Sequence, residues 1–323
     1  MKYRKLGRSG FEVSDVAHGL WGMSGWSGSE DDESLEALQI AVDQGCNFFD
    51  SAWAYGDGKS DGLLGQTISK NQRKRLFVAS KIPPMNGMWP ALPKYKYHDV
   101  FPPHHVFQYA DLIRKQLGTD SIDVLQFHVW DDSWTNEPDF RKTVEKLKKD
   151  GSIGTFGLSL NRWEPWNGIK AMRTGLVDAV QVIYNIFDQA PEDELFPACQ
   201  ELHIGVIARV PLDEGGLSGK LTTETNFPKS DWRSGYFNPK NLANTVDRAE
   251  RLKKILPAGM SLPEMALRFV LSNPTVSTQI IGMRKLDHVR QNIAMSDKGP
   301  LSPDLLHELK KHRWDRKPAP WSD

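Results

Sequence analysis

The chain has 323 residues, of which 39% are hydrophobic and 25% are charged. This composition is typical of a globular protein with a sizeable core, and the length fits one large α/β domain or two ordinary ones. Basic and acidic residues balance at 41 each, which argues against broad electrostatic binding to nucleic acid or to a membrane surface. No segment is typical of a signal peptide or of a membrane-spanning helix, so we expect a cytoplasmic protein.

The cysteines indicate neither redox nor metal chemistry. Cys46 and Cys199 lie far apart, and neither belongs to a CxxC or metal-ligand pattern. Cys46 falls in a predicted buried strand, where a free cysteine packs as a small hydrophobe. We therefore expect both to be structural and predict no metal site.

Strands and helices alternate along the chain after a glycine-bracketed hairpin turn at 6–11. The predicted strands are 15–19, 48–50, 77–79, 124–128, 153–158, 179–184, 205–209 and 278–282. The predicted helices begin with one that Ser29 caps and Gly45 closes, and continue with 63–68, 104–117, 140–149, 165–173, 192–202, 241–256, 287–295 and 302–311.

Eight such strand–helix units predict a (β/α)8 TIM barrel with an N-terminal β-hairpin, a single domain over residues 1–323. Several strands are continuous apolar runs, as in sheets that helices cover. A doubly wound open sheet is the alternative, but its glycine-rich G-x-G-x-x-G loop is missing after the first strand. Long connections at 83–103 and 211–240 follow the third and seventh barrel strands, and we expect both to line the active-site face.

Four polar residues stand at or just after the ends of apolar runs: Asp50, Tyr55, Lys81 and His128. The carboxyl ends of the strands form the active-site face of a parallel barrel. A phenol, an ammonium, a carboxylate and an imidazole gathered there can deliver a proton to a substrate. Each residue alone is more often a cap, a packing residue or an ion-pair partner, but the combination favours catalysis.

The segments around these residues resemble the aldo-keto reductase superfamily, and the four residues resemble its catalytic tetrad. The matching segments are 5–10, 50–56, 79–81, 125–128 and 282–284, together with Asn292. The resemblance implies an NADPH-dependent oxidoreductase that acts on small carbonyl substrates on a (β/α)8 barrel without a metal.

The chemistry of the four residues is consistent with that resemblance. A tyrosine hydroxyl is a weak acid unless its phenolate is stabilised, and the Lys81 ammonium can supply that stabilisation. Asp50 can pair with Lys81, and His128 can donate to a carbonyl oxygen as negative charge develops on it. We predict Tyr55 as the general acid.

The resemblance also implies which residues bind the nicotinamide end of the cofactor. Leu160 stands where the family has an asparagine that binds the carboxamide, and the neighbouring Asn161 is a candidate substitute. An amide side chain suits this role because it has both donors and an acceptor. The predicted nicotinamide-side residues are Gly19, Leu20, Trp21, Asp50, Ser159, Asn161 and Gln181.

Arg209 is the main departure from the family pattern, which has an aromatic residue there that stacks on the nicotinamide. A guanidinium is planar and can stack too, but it disfavours the positively charged oxidised ring. We hypothesise that Arg209 biases binding toward the reduced cofactor or contacts the substrate. The alternative is that Arg209 pairs with Asp213 or Glu214 and only shapes the loop.

Phosphate binding is predicted in two places. Backbone amides of the glycine-containing loop 211–220, with Pro211, Leu212 and Gly215, can hold the pyrophosphate. The helix after the last strand adds two cations at its start, which favours NADPH/NADP over NADH, with NADH still possible. The predicted residues of this second place are Gly282, Arg284, Lys285, His288 and Asn292.

The sequence leaves the substrate open. Trp21, Trp53, Trp89 and Trp130 suit a flat or apolar carbonyl, whereas Asp131 and Asp132 could bind sugar hydroxyls. Three alternatives to a reductase remain: a regulatory subunit with little turnover, resembling the barrel that associates with potassium channels; an alcohol or sugar dehydrogenase; and a lyase with Lys81 as a Schiff base. No long heptad pattern indicates an oligomer, so the oligomeric state also stays open.

Overall fold

The structure is a computed structural model that describes residues 1–25, 28–72 and 74–317. Eight parallel strands close into a barrel in chain order, with the last strand paired to the first. A separate antiparallel hairpin consists of β1 (Tyr3–Lys5) and β2 (Glu12–Ser14). The barrel strands are β3 (Val16–Gly19), β4 (Phe48–Asp50), β5 (Phe77–Ile82), β6 (Ile122–Phe127), β7 (Ile153–Ser159), β8 (Ala179–Ile183), β9 (Gly205–Arg209) and β10 (Val276–Gly282). The predicted hairpin and (β/α)8 barrel are confirmed.

Helices surround the barrel, and within the described residues none is both long and apolar enough to cross a bilayer. They are α1 (Asp31–Asp43), α2 (Lys59–Lys70), α3 (Tyr97–Val100), α4 (Pro103–Leu117), α5 (Pro138–Lys149), α6 (Ile169–Met172), α7 (Leu195–Leu202), α8 (Arg233–Tyr236), α9 (Pro239–Lys253), α10 (Leu262–Ser272), α11 (Leu286–Ile293), α12 (Met295–Lys298) and α13 (Pro303–Lys310). The two long connections are present. The connection between β5 and α4 contains α3, and the connection between β9 and α9 contains a 3-10 helix (Asp213–Ser218) followed by α8.

Three helix predictions need correction. α1 has Glu30 rather than Ser29 at its N-cap, without a side-chain cap. The helix predicted over 165–173 is only the four residues of α6, because Asp132 accepts the main-chain N–H groups of Gly168, Lys170 and Ala171 and so fixes its start. α10 was not predicted, although Ser261 caps it.

The barrel interior and the layer outside it are two separate apolar clusters. Side chains alternate along each strand, so Phe48 points inward, whereas Phe49 packs toward the helices. Leu6 and Val13 of the hairpin join the interior cluster and close the amino-terminal end of the barrel. The inward-facing strand residues of this cluster are Ala17, Phe48, Phe77, Ala79, Val124, Ala179, Ile207 and Ile280.

The same alternation places polar side chains at the other end of the barrel. Asp50 lies two residues after Phe48, and Lys81 lies two residues after Ala79, so each points inward one layer above an apolar residue. Gln181 and Arg209 follow Ala179 and Ile207 in the same way. The barrel therefore has an apolar floor and a polar mouth.

Candidate active site

Lys81 lies at the centre of the site. Its Nζ donates to Asp50 Oδ2 at 2.7 Å, to the main-chain oxygen of Ser51 at 2.7 Å and to the Tyr55 hydroxyl at 3.4 Å. Its side chain is completely buried. An ammonium has three protons, and each of them meets an oxygen here.

This environment keeps Lys81 charged. Burial alone lowers the pKa of a lysine, but the negative charge of Asp50 and the hydroxyl of Tyr55 outweigh it, and the net pKa of Lys81 is raised. A Schiff-base lysine reacts as the neutral amine. The geometry therefore argues against the lyase alternative.

Tyr55 lies in the turn after β4, with its side chain half-buried at the barrel mouth. The first turn of α2 holds its backbone, because the Ser60 hydroxyl donates to the Tyr55 oxygen at 3.1 Å. Burial raises the pKa of Tyr55; Lys81 and Arg209 act in the opposite direction, and Asp50 reinforces the rise. Tyr55 thus holds its proton at neutral pH and has a proton to give.

His128 follows β6 directly, and its main-chain N–H donates to the oxygen of Ile82 at 3.1 Å. Its ring lies 5.9 Å from the Tyr55 ring, centroid to centroid, in an edge-on arrangement. Burial, together with the charges of Lys81 and Arg209, lowers the pKa of His128 well below its usual value. The imidazole is therefore neutral, with one N–H available as a donor.

Tryptophans stand around these groups. The Trp89 ring lies edge-on to His128 at 5.7 Å between centroids, and Trp21 lies edge-on to Trp232 at 6.3 Å. All three tryptophan side chains are partly exposed. Trp130, by contrast, is completely buried and packs in the core.

The two carboxylates considered for sugar binding are already hydrogen-bonded within the protein. Asp132 accepts three main-chain N–H groups at the start of α6 and the indole N–H of Trp130 at 2.9 Å. Asp131 accepts from the Ser133 main chain at 2.9 Å and from Asn167 Nδ2 at 3.1 Å. Both therefore serve the local structure of the loop after β6.

On the nicotinamide side, Gln181 and Ser159 lie opposite each other on adjacent strands. Gln181 Nε2 donates to Asp50 Oδ1 at 2.7 Å, which joins it to the Lys81 cluster. Asn161 Nδ2 donates to the Ala91 oxygen at 3.2 Å, in the loop after β5. That donor is therefore engaged in the loop, and the role of Asn161 as a substitute for the family's asparagine stays a prediction.

The predicted residues at the end of β3 lie beside the same cluster. The Leu20 N–H donates to the Asp50 oxygen at 2.9 Å, and the Leu20 side chain is buried. A Cβ on Gly19 would lie 2.6 Å from Ile280 Cγ2, so only glycine fits without displacing its neighbour. Trp21, which follows β3 and Leu20, is 40% exposed.

Arg209 reaches the same mouth from β9. Its Nη2 donates to the Leu160 oxygen at 3.2 Å, while its Nε is buried and has no partner in the part of the chain that the structure describes. Burial lowers the pKa of Arg209, with the charge of Glu214 acting against that effect. Of the two partners that the sequence alternative offered, Asp213 pairs with Arg162 and Arg316 instead, whereas Glu214 acts on Arg209 through its charge.

Asp213 is bound by two other arginines that the sequence did not single out. Arg162 Nη2 donates to Asp213 Oδ1 at 2.8 Å, and Arg316 also donates to this oxygen. The Tyr236 hydroxyl donates to it at 3.0 Å. Asp213 is completely buried, so this network anchors the loop after β9 from its inner side.

The predicted pyrophosphate residues form the compact turn of that loop. Gly215 has a φ of 107° and donates its N–H to the Leu212 oxygen at 3.0 Å. That amide is therefore engaged within the turn. Pro211 is buried where the turn leaves β9, and Leu212 packs partly against the core.

The residues after β10 gather positive charge. Arg284 and Lys285 precede α11, and His288 and Asn292 lie one turn apart on it. Burial lowers the pKa of His288, and Lys220, Lys285 and Arg284 lower it further by their charges. Lys220, from the β9 loop, is thus a member of this cation cluster that the sequence analysis missed.

These residues fit a nicotinamide nucleotide. No atom of residues 1–25, 28–72 or 74–317 lies within 4 Å of the place where a Cβ on Gly282 would stand, so these residues leave the surface between the mouth and the cation cluster open there. One end of that path has the buried Nδ1 of His128, which has no hydrogen-bond partner among the described residues, and the other end has three cations. A neutral ring bearing an amide suits the first end, and phosphate suits the second.

Comparison with known proteins gives the family of this chain. The family model described as "Aldo/keto reductase family" matches residues 15–313, and the chain belongs to that family, whose members are NAD(P)H-dependent oxidoreductases. An uncharacterized oxidoreductase, YqkF, of Bacillus subtilis is 27% identical over 97% of this chain and 96% of its own length. A probable voltage-gated potassium channel subunit beta of Arabidopsis thaliana is 30% identical, with 96% of both chains covered.

Solved structures show the same fold. The glycerol dehydrogenase AKR11B4 from Gluconobacter oxydans superposes with a TM-score of 0.80 and 24% sequence identity. The match covers 99% of this chain and 98% of that one. At this identity the likeness shows the barrel fold alone.

Proposed function

We propose that this enzyme reduces an aldehyde or ketone to an alcohol with NADPH, with Tyr55 as the general acid. The observation that carries the proposal is the arrangement around Lys81, whose Nζ binds Asp50 Oδ2, the Ser51 oxygen and the Tyr55 hydroxyl. A buried ammonium beside a protonated phenol stabilises the phenolate that proton transfer leaves behind.

When bound, the nicotinamide supplies a hydride to the carbonyl carbon. Residues of the chain stabilise and protonate the carbonyl oxygen. The neutral His128 donates its N–H to the oxygen as charge develops there, and Tyr55 gives up its proton to complete the alcohol. Lys81 stabilises the resulting phenolate, and Asp50, which Gln181 also holds, fixes the position of Lys81.

The preference for NADPH rests on the cation cluster of Lys220, Arg284 and Lys285 around His288. A 2′-phosphate is a dianionic acceptor that such a cluster can bind, whereas NADH lacks it. Among the relatives, an aldo-keto reductase of Schizosaccharomyces pombe is named for NADP(+) and a methylglyoxal reductase of Escherichia coli is named NADH-specific. The preference for NADPH is therefore inferred from these side chains and not from the relatives.

The structure favours a flat or apolar carbonyl as the substrate. Partly exposed aromatic rings stand at the mouth, with Trp89 edge-on to His128. The carboxylates that could have bound sugar hydroxyls, Asp131 and Asp132, are satisfied by main-chain N–H groups. Apolar walls with a few convergent polar groups are typical of a site for such ligands.

A Tyr55→Phe variant tests the proposal. We expect quenching of tryptophan fluorescence by NADPH to persist, because the cofactor contacts do not need the hydroxyl, while turnover of an aldehyde panel falls by at least a hundredfold. Tyr109→Phe is the matched control, since Tyr109 packs edge-on against Trp53 at 5.5 Å and lies outside the tetrad. Full turnover in Tyr55→Phe would refute the role of Tyr55.

A second candidate function is a cofactor-binding regulatory subunit with little turnover. The similarity to the Arabidopsis potassium channel subunit supports it. Steady-state rates separate the two, because a regulatory subunit binds NADPH with the same fluorescence signature but reduces every aldehyde of the panel slowly.

Operation mainly as an alcohol or sugar dehydrogenase is the remaining alternative. Oxidation needs Tyr55 as a base, and the raised pKa of Tyr55 keeps it protonated at neutral pH. We therefore propose reduction as the favoured direction near neutrality, with oxidation gaining as the pH rises. A ratio of oxidative to reductive rate that does not rise with pH would argue against this assignment.

A further inference from the structure

A second carboxyl group lies behind the proposed tetrad. Asp61 belongs to the first turn of α2 and is completely buried. The Ser80 hydroxyl donates to Asp61 Oδ1 at 3.0 Å. Since Ser80 directly precedes Lys81 on β5, and alternate residues of a strand face opposite sides, Asp61 lies on the outer side of the strand that presents Lys81 to the mouth.

The neighbouring residues tie the same turn of α2 to the tetrad. Ser60 Oγ donates to the Tyr55 oxygen at 3.1 Å and to the Leu20 oxygen at 3.3 Å. The Ser51 oxygen accepts from Lys81 Nζ at 2.7 Å. The start of α2 therefore contacts the backbone of Tyr55 directly and reaches Lys81 through Ser80.

We propose that Asp61 is a positioning residue of the active site, whose ionisation sets how strongly Tyr55 holds its proton, acting through Lys81. The inference rests on the proposed function, because it needs Tyr55 to be the acid. A negative charge behind Lys81 partly cancels the electrostatic stabilisation that the ammonium gives to the Tyr55 phenolate. Ionised Asp61 therefore makes Tyr55 a weaker acid, and neutral Asp61 makes it a stronger one.

Asp61 is placed to change its charge in the physiological range. Burial raises the pKa of Asp61 to about 6, while the hydroxyls of Ser51 and Ser80 and the charge of Lys81 restrain the rise. The charge of Asp50, on β4, adds to the rise. A carboxyl shifted this far ionises between pH 5 and 7.

Asp61→Asn tests the proposal because it preserves shape and removes the charge. In the pH profile of kcat/KM for aldehyde reduction, we expect the inflection near pH 6 to disappear. We also expect the alkaline limb, where Tyr55 loses its proton, to move down by roughly half to one pH unit. If both inflections of the profile stay at the same pH in Asp61→Asn, even with a lower kcat/KM, Asp61 has a structural role only.

Two further variants keep the test decisive. Ser80→Ala retains the carboxyl but removes a donor that favours its ionised form, so the acid inflection should move to higher pH. Asp15→Asn is the matched control, because Asp15 is also a buried carboxyl whose raised pKa comes from burial, but it lies before β3 at the opposite end of the barrel. It should leave both limbs unchanged.

A readout that needs no cofactor separates the two proposals. The phenolate absorbance of Tyr55, taken as the difference between each protein and its Tyr55→Phe counterpart, should appear at lower pH in Asp61→Asn. Equal titrations with and without Asp61 would overturn the role of Asp61 alone. Turnover that survives Tyr55→Phe would instead overturn the proposed function.

Discussion

The guanidinium of Arg209 donates a hydrogen bond of 3.2 Å to the main-chain oxygen of Leu160. The two positions at which we expect a departure from the family pattern therefore meet, across the mouth between β7 and β9. The bond holds the planar group of Arg209 beside the proposed nicotinamide side of the site.

The first prediction concerns the charge of Arg209. A cation beside the nicotinamide opposes its oxidised, positively charged form, so Arg209→Tyr should strengthen NADP binding relative to NADPH by about tenfold, which corresponds to about 1.4 kcal/mol. Titrations of tryptophan fluorescence with each nucleotide measure the ratio. Arg209→Lys retains the charge without the planar group and should leave the ratio near that of the unmodified chain; an unchanged ratio in Arg209→Tyr would end the electrostatic interpretation.

The second prediction concerns the cation cluster. Lys285→Ala and Lys220→Ala should each raise the KM for NADPH several-fold and leave the KM for NADH unchanged, because only NADPH carries the 2′-phosphate. Lys254→Ala removes an exposed lysine outside this cluster and serves as the control. Equal effects on both nucleotides would mean that the cluster does not bind that phosphate.

The third prediction concerns stability in acid. Burial lowers the pKa of His18 to about 4, whereas the unfolded chain has a histidine pKa of about 6.5. The unfolded state therefore binds the proton first, and stability is lost as the pH falls from 6.5 to 4, by about 3 kcal/mol in total. Urea unfolding of His18→Gln should show a correspondingly weaker pH dependence, while His307→Gln, at an exposed site on α13, should follow the unmodified protein.

The fourth prediction concerns the buried charges under the β9 loop. Arg316→Met leaves Asp213 with Arg162 and Tyr236 as its remaining partners and should lower the free energy of unfolding by about 1–3 kcal/mol. It should also weaken NADPH binding, since the same loop carries the proposed pyrophosphate contacts. Arg313→Ala is the control within the same segment: its partner Asp193 is largely exposed, and such pairs contribute about 0–1 kcal/mol.

The strands and the polar mouth were predictable from the sequence because both follow from short-range patterns. A strand covered on both faces is an apolar run, and a polar residue at its end marks the mouth, as Asp50 and Lys81 do. α10 was missed although its signal was present, since Ser261 and Glu264 form the start pattern of a helix.

Other features depend on contacts between distant segments. The helix predicted over 165–173 is short because Asp132, some 36 residues earlier, binds its first amide. The role of Asp61 is not readable from the sequence, because Asp61 belongs to α2 and its partner Ser80 lies on β5. In the same way, nothing local indicates that Arg162 and Arg316 meet at Asp213.

The hairpin at the amino-terminal end of the barrel has a consequence for ligand traffic. Leu6 and Val13 seal that end, so everything that enters the barrel must enter and leave through the mouth. A nucleotide that lies across the strand ends then stands between the substrate and the floor. We expect the two ligands to bind in a compulsory order, with the nucleotide first. We also expect the alcohol to dissociate before the oxidised nucleotide is exchanged.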